Sequence, residues 1–98
     1  MFYTYVLEDK KESLYIGFTS DLRKRLKEHN QGRNVSTKNR SWHCVYYEAC
    51  LNESDARRRE KYVKGSTGSR MLKLRLKEYL YARRARRNFT SGYGQKTP

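Results

Sequence analysis

Three ionisable side chains stand on helix faces where apolar ones are expected. In "LYIGFTSDLRKRLKEHN", residues 14 to 30, a short apolar strand reaches a glycine and a charged helix follows. Leu22 and Leu26 mark the inward side of that helix. Arg25 lies three residues after Leu22, His29 three after Leu26, and the two are four apart, so both fall along the edge of the leucine stripe. Burying charge is costly. Either the arginine snorkels past the core beside a partly exposed histidine, or the strand tip and the helix face build a site together. A later helix repeats the pattern, with Glu60 between Ala56 and Val63 on one face. A carboxylate there requires a cation, a metal or hydrogen-bond donors, and a salt bridge to one of the many basic residues is the plainest solution. Tyrosine is over-supplied, with nine in the chain, and Tyr5 and Tyr15 are expected to face each other across a hairpin. Core packing accounts for most strand tyrosines, and stacking on single-stranded bases for others.

Period and punctuation define the elements that hold these residues. "FYTYVLE" alternates Phe2, Thr4 and Val6 with Tyr3, Tyr5 and Leu7, "DKKES" is a polar turn, and "LYIG" is a second strand. A helix starts at Ser20 or Asp21, with Ser20 able to cap it, and runs to about Gln31, where Gly32 stops it. After the polar, basic loop "RNVSTKNRS", "WHCVYYEA" is a third strand. "NESDARRREKYVKG" is a second helix capped by Asn52 and ended by Gly65, and residues 65 to 69 are a turn. "RMLKLRLKEYLYA" places Leu72, Leu76, Tyr79 and Leu80 on one face of a third helix. The order β-β-α-β-α-α implies an α+β fold, a small three-stranded antiparallel sheet flanked by about three helices, over residues 1–82. Residues 83–98, "RRARRNFTSGYGQKTP", read as a basic, flexible tail.

Lysine and arginine number 23 against 10 acids in 98 residues, a net charge of +13. That imbalance calls for a polyanionic partner, because phosphate neutralisation with counterion release drives binding by itself. Nucleic acid is the first expectation, ahead of an anionic membrane surface or a ribosomal-type structural role. No stretch approaches the roughly 18 apolar residues of a spanning helix, and the N-terminus does not resemble a signal peptide. Cys44 and Cys50 lack CxxC spacing and stand with only two histidines, which argues against a structural zinc site and for free thiols in the cytoplasm.

Taken in order, these features resemble the GIY-YIG nuclease superfamily, both its small stand-alone members and the nuclease module of homing and excision-repair endonucleases. "TYVL" stands at the first motif, with Tyr5 matching its tyrosine, and "LYIG" matches the second through Tyr15, Ile16 and Gly17. Arg25 follows Tyr15 by ten residues, as the family's helix arginine does, and His29 falls where several members carry a histidine. Glu60 in "ARRREKYVKG" matches the glutamate of the later helix. Tyr3 and Thr4 replace the glycine and isoleucine of the first motif, and neither Asn52 nor Asn88 is at the distance from Glu60 of the family's downstream asparagine.

The resemblance implies a divalent-metal-dependent endonuclease acting on nucleic acid, DNA before RNA. In that scheme Glu60 holds Mg²⁺ or Mn²⁺, and Arg25 holds the scissile phosphate with fixed donors. Tyr5 takes the proton of the attacking water, its hydroxyl acidified by nearby positive charge. Tyr15 hydrogen-bonds water or phosphate, His29 is a relay or a phosphate contact, and Gly17 lets the backbone approach and turn. Lys38, Arg40, Arg83, Arg84, Arg86 and Arg87 are the expected sequence-blind nucleic-acid contacts, and a cytoplasmic monomer without membrane partners is expected. The alternatives are a non-catalytic nucleic-acid-binding module on the same scaffold and a ribosome-associated structural protein.

Overall fold

The computed structural model describes residues 1–32 and 40–88, the last three of these as backbone. Its elements are β1 (Phe2–Glu8), β2 (Leu14–Thr19), α1 (Leu22–Asn30), β3 (His43–Cys50), α2 (Glu53–Lys64), α3 (Ser66–Arg75) and α4 (Lys77–Asn88). They fall into two compact units, Met1–Gly65 and Ser66–Pro98. The first holds every residue of the expected active site.

The sheet is antiparallel with order β2-β1-β3. The central β1 is hydrogen-bonded on both edges, and Thr4 to Asp9 are all buried. Asp9 builds the β1–β2 turn: its Oδ1 accepts from the Lys11 and Ser13 amides at 3.0 and 2.8 Å. The left-handed Glu12, at φ 67°, completes the reversal.

Alternation along β1 gives two faces. One carries Tyr5 and Leu7, which with Trp42 form a buried cluster packed by Tyr15, Leu22, Leu26 and Cys44. The other carries Thr4 and Val6 and is covered by α2, whose Ala56 carbonyl accepts a 2.8 Å bond from Thr4 Oγ1. Arg59 grips Glu48 of β3 with two bonds, of 3.0 and 2.7 Å, and the Arg57 guanidinium lies 4.1 Å from the centre of the Phe18 ring in β2. The second helix is therefore fastened to both outer strands.

At the start of α1 the cap is Asp21 rather than Ser20: its Oδ1 accepts from Lys24 N at 3.1 Å. Asp21 also brings a negative charge to the positive helix end, which a serine lacks. Gly32, at φ 75°, turns the chain out of the helix. Asn30 then bridges to the residue before β3, donating to Trp42 O at 2.9 Å and accepting from Trp42 N at 2.6 Å.

The second unit corrects the helix count. Residues 66–69 continue into helix instead of forming a turn, since Ser66 and Thr67 suit a helix start, and Gly68 is buried within it. The expected single helix is two, α3 and α4, joined at Leu76 by Leu76 N→Leu72 O and Leu80 N→Leu76 O bonds of 2.9 Å each. The order is β-β-α-β-α-α-α. The last helix also runs through Arg83 to Asn88, beyond the point where the sequence reading ended it. Residues 89–98 lie outside the described residues.

Candidate active site

Tyr5 is 1 % exposed at the centre of the sheet, and its hydroxyl lies 2.8 Å from His29 Nε2. Register explains how the ring fits. Tyr5 pairs directly with Gly17, and Tyr15 with Leu7, so the two motif tyrosines are diagonal neighbours rather than opposite ones, with ring centroids 6.4 Å apart. A Cβ on Gly17 would stand 2.5 Å from Tyr5 Cζ and Oη. This glycine therefore makes no turn, since it lies mid-strand without a left-handed φ. It vacates the space that the tail of the tyrosine ring occupies.

His29 is fully buried, not at the edge of the leucine stripe. Its ring packs edge-on against Tyr15 at 4.8 Å between centroids. The inward direction of α1 is thus centred closer to His29 than to Leu22 and Leu26, which are only half-buried. A fully covered imidazole offers no surface to a phosphate, so of its two expected roles the geometry suits the relay.

Electrostatics reverse one expectation. Burial pushes the Tyr5 hydroxyl up to about 12, against the opposing hydrogen bond and positive charge of Arg25. Arg25 reaches the hydroxyl but does not bring it below the ordinary tyrosine value. Burial, then the Arg25 charge, lowers His29 from its ordinary value. Both effects favour the neutral imidazole, and in the tautomer protonated on Nδ1 its Nε2 accepts the Tyr5 O–H.

Arg25 bridges interior and surface: its guanidinium is close enough to Tyr5 to favour the ionised hydroxyl and pairs with Glu28 at 3.2 Å, while 35 % of the side chain stays exposed. Glu60 sits beside the buried Ala56–Val63 face as the spacing predicts. Its carboxylate pairs with Lys64 at 3.0 Å and is near enough to Tyr5 for its charge to help hold that proton on. Among the described residues no group of three or more histidine, cysteine or acidic side chains is arranged to cage a metal.

The expected basic contacts fall in both compact units. Arg40 pairs with Asp9 at 3.5 Å and leans over Trp42. Arg83 is half-buried and Arg84 exposed on α4. Lys38 and the side chains of Arg86 and Arg87 lie outside the described residues. Three residues that sequence reasoning passed over belong to the neighbourhood: Glu28 through Arg25, Asn30 through Trp42, and Tyr47, the direct β3 partner of Tyr5. The Glu28 spacing, i+3 from Arg25, was the readable signal. For β3 a register shift between Val6 and Leu7 breaks the alternation. Cys44 joins the Tyr5 face three residues from Tyr47, where strict alternation would have put Val45.

The GIY-YIG catalytic domain family matches residues 1–75. The chain belongs to that family. Its GIY-YIG domain, of a nuclease type, includes Tyr5, Tyr15, Arg25, His29 and Glu60, all within the first compact unit. Among relatives, a UPF0213 protein of Clostridium perfringens is 42 % identical over 76 residues, covering 76 % of this chain and 82 % of its own. A UPF0213 protein of Haloquadratum walsbyi is 37 % identical over 67 residues, covering 66 % and 75 %. The solution NMR structure of a UPF0213 protein from Bacillus halodurans is 32 % identical over 74 % of this chain and 82 % of its own, with a TM-score of 0.46. No helix among the described residues is long and apolar enough to cross a membrane.

Proposed function

We propose that this protein is a divalent-metal-dependent endonuclease that hydrolyses phosphodiester bonds, DNA before RNA, with Tyr5 passing the proton of the attacking water to His29. The observation that carries the reading is the 2.8 Å hydrogen bond between the Tyr5 hydroxyl and His29 Nε2, with the Arg25 guanidinium near enough to act on the same hydroxyl. A phenol with a pKa of about 12 is ionised in only about one molecule in 10⁵ at pH 7. A standing phenolate therefore makes a poor base. A relay removes the difficulty: as water approaches phosphorus, its proton moves to Tyr5 Oη while the Tyr5 proton moves to the neutral imidazole. Arg25 turns its exposed donors to the scissile phosphate, which draws it off the hydroxyl and opens that oxygen to water. Tyr15, packed against His29, steadies the relay and supplies a hydroxyl for hydrogen bonding to water or phosphate.

Glu60 is the residue that would hold the metal, Mg²⁺ or Mn²⁺. Its pairing to Lys64 on its own helix is a half-exposed one, weak enough to exchange. A single carboxylate with several waters and the substrate's phosphate suits Mg²⁺, which does not require an all-protein cage. Bound there, the ion supplies charge stabilisation to the phosphoryl oxygens and the leaving oxygen.

The test is single-turnover cleavage of single-stranded, duplex and branched DNA with Mg²⁺ or EDTA, beside equilibrium binding. Tyr5→Phe should keep affinity and lose roughly 10²- to 10⁴-fold in rate, and Glu60→Gln should lose rate while keeping its fold. Tight binding without cleavage of any substrate by the parent would favour the binding module instead.

A further inference from the structure

Beside the proposed site, on the same face of the sheet, lies an aromatic surface that the chemistry does not use. Tyr47 stands directly across from Tyr5 in the β1–β3 register, so both side chains leave the same face. It is nevertheless 56 % exposed. Its ring meets Tyr3 at 5.9 Å between centroids, tilted by 59°. Tyr3 in turn is two residues from Tyr5 along β1, roughly 7 Å. The two tyrosines line a cavity of about 460 Å³ with Ser20, Asp21, Leu22 and Arg23 at the start of α1. Leu22 is one helical turn before Arg25, which carries the guanidinium assigned to the phosphate.

We infer that Tyr47, backed by Tyr3, is a stacking platform for one unpaired nucleobase adjacent to the scissile phosphate. This assignment rests on the nuclease reading above and adds a specificity subsite to it. The lining chooses the ligand. Asp21 and Arg23 bring one charge of each sign to the lining, so it has no net pull on a second phosphate, whereas a neutral flat ring meets aromatic faces, and the Ser20, Asp21 and Arg23 side chains can hydrogen-bond to its edge. Cross-strand packing of Tyr47 on Tyr3 explains their contact but not why more than half of Tyr47 stays uncovered. A base still paired in a duplex cannot offer its face, so the platform selects single strands or extruded nucleotides.

The test is binding in EDTA, where no turnover is needed, to a short oligonucleotide carrying 2-aminopurine and to its duplex. Tyr47→Ala should weaken single-strand binding by roughly tenfold or more, abolish the stacking quench of 2-aminopurine emission, and leave duplex binding unchanged. Tyr47→Phe and Tyr47→Trp, which keep a ring, should retain both affinity and quench. Equal single-strand affinity for Tyr47→Ala and parent, an equal loss on single strand and duplex, or loss of the quench in the ring-retaining variants would overturn the platform. Mg²⁺-dependent cleavage is scored separately. An inert parent that still shows the quench removes the nuclease reading alone, and an active parent with a silent Tyr47→Ala removes the platform alone. A parent that binds no oligonucleotide removes both.

Discussion

A methyl group at position 17 would come within 2.5 Å of both Cζ and Oη of Tyr5, and the ring it meets is buried and hydrogen-bonded to His29. Neither partner can yield without moving the hydroxyl off the imidazole. Gly17→Ala should therefore cost about 1–3 kcal/mol of stability as an overpacked core does, measured by denaturant titration, and should reduce cleavage with it. The same pair of groups gives the molecule two pH limits. The Tyr5 value is raised, so its stabilising contribution is complete below the ordinary tyrosine value of 10 and is lost as pH rises from there to about 12, at no more than about 1.4 kcal/mol per pH unit. His29 is lowered, so its contribution is complete above the ordinary histidine value and is lost as pH falls below it. Melting temperatures across pH should fall at both ends. In Tyr5→Phe the alkaline limb should shrink; an unchanged limb would mean other tyrosines cause it.

At the scale of elements, α1 carries both Arg25 and His29 but has only nine residues, too few to persist on its own. Besides the packing of His29, Leu22 and Leu26, its ends are held by the Asp21 cap and the Asn30 bridge to Trp42. Asn30→Ala leaves the Trp42 amide and carbonyl without that partner and should destabilise by about 1–3 kcal/mol. Cleavage should fall further than the unfolded fraction explains, because the helix that aims the guanidinium is loosened. Folding and single-turnover measurements on one preparation separate the two effects. The elements themselves were largely legible, because alternation in β1 and the Leu, Gly and Asn punctuation are local signals. The buried position of His29 was not, since a histidine three residues after a leucine looks the same at an edge or in a core until the packing partner is known. The β3 irregularity was hidden for a related reason: a bulge is defined by the strand opposite. The start of α3 was missed because Gly65 and Gly68 resemble a turn locally, and tertiary burial of Gly68 overrides that preference.

For the whole molecule the excess of basic residues is the dominant fact. Asp9, Glu28, Glu48, Glu53, Asp55 and Glu60 each pair with a neighbouring arginine or lysine. The 10 acids are too few to balance the 23 lysines and arginines. Binding to nucleic acid should weaken steeply with salt, the logarithm of affinity falling by ~0.9 per duplex phosphate contacted for each logarithmic unit of salt. Arg84→Gln removes an exposed cation of α4 and should lower that slope by about one while leaving the single-turnover rate at saturating substrate intact. A slope that does not change would place the phosphate path elsewhere on the surface.

The central position of β1 has one more consequence. Tyr5 rides on the strand that is hydrogen-bonded on both edges, among the last amides to exchange with solvent when the molecule breathes. Arg25 and His29 ride on a nine-residue helix, which depends on its packing to persist. The proposed proton path is thus split between a strand held on both edges and a helix too short to persist alone, and warming should separate its halves while the sheet is still intact. Heat inactivation is expected to precede melting, and to reverse on cooling.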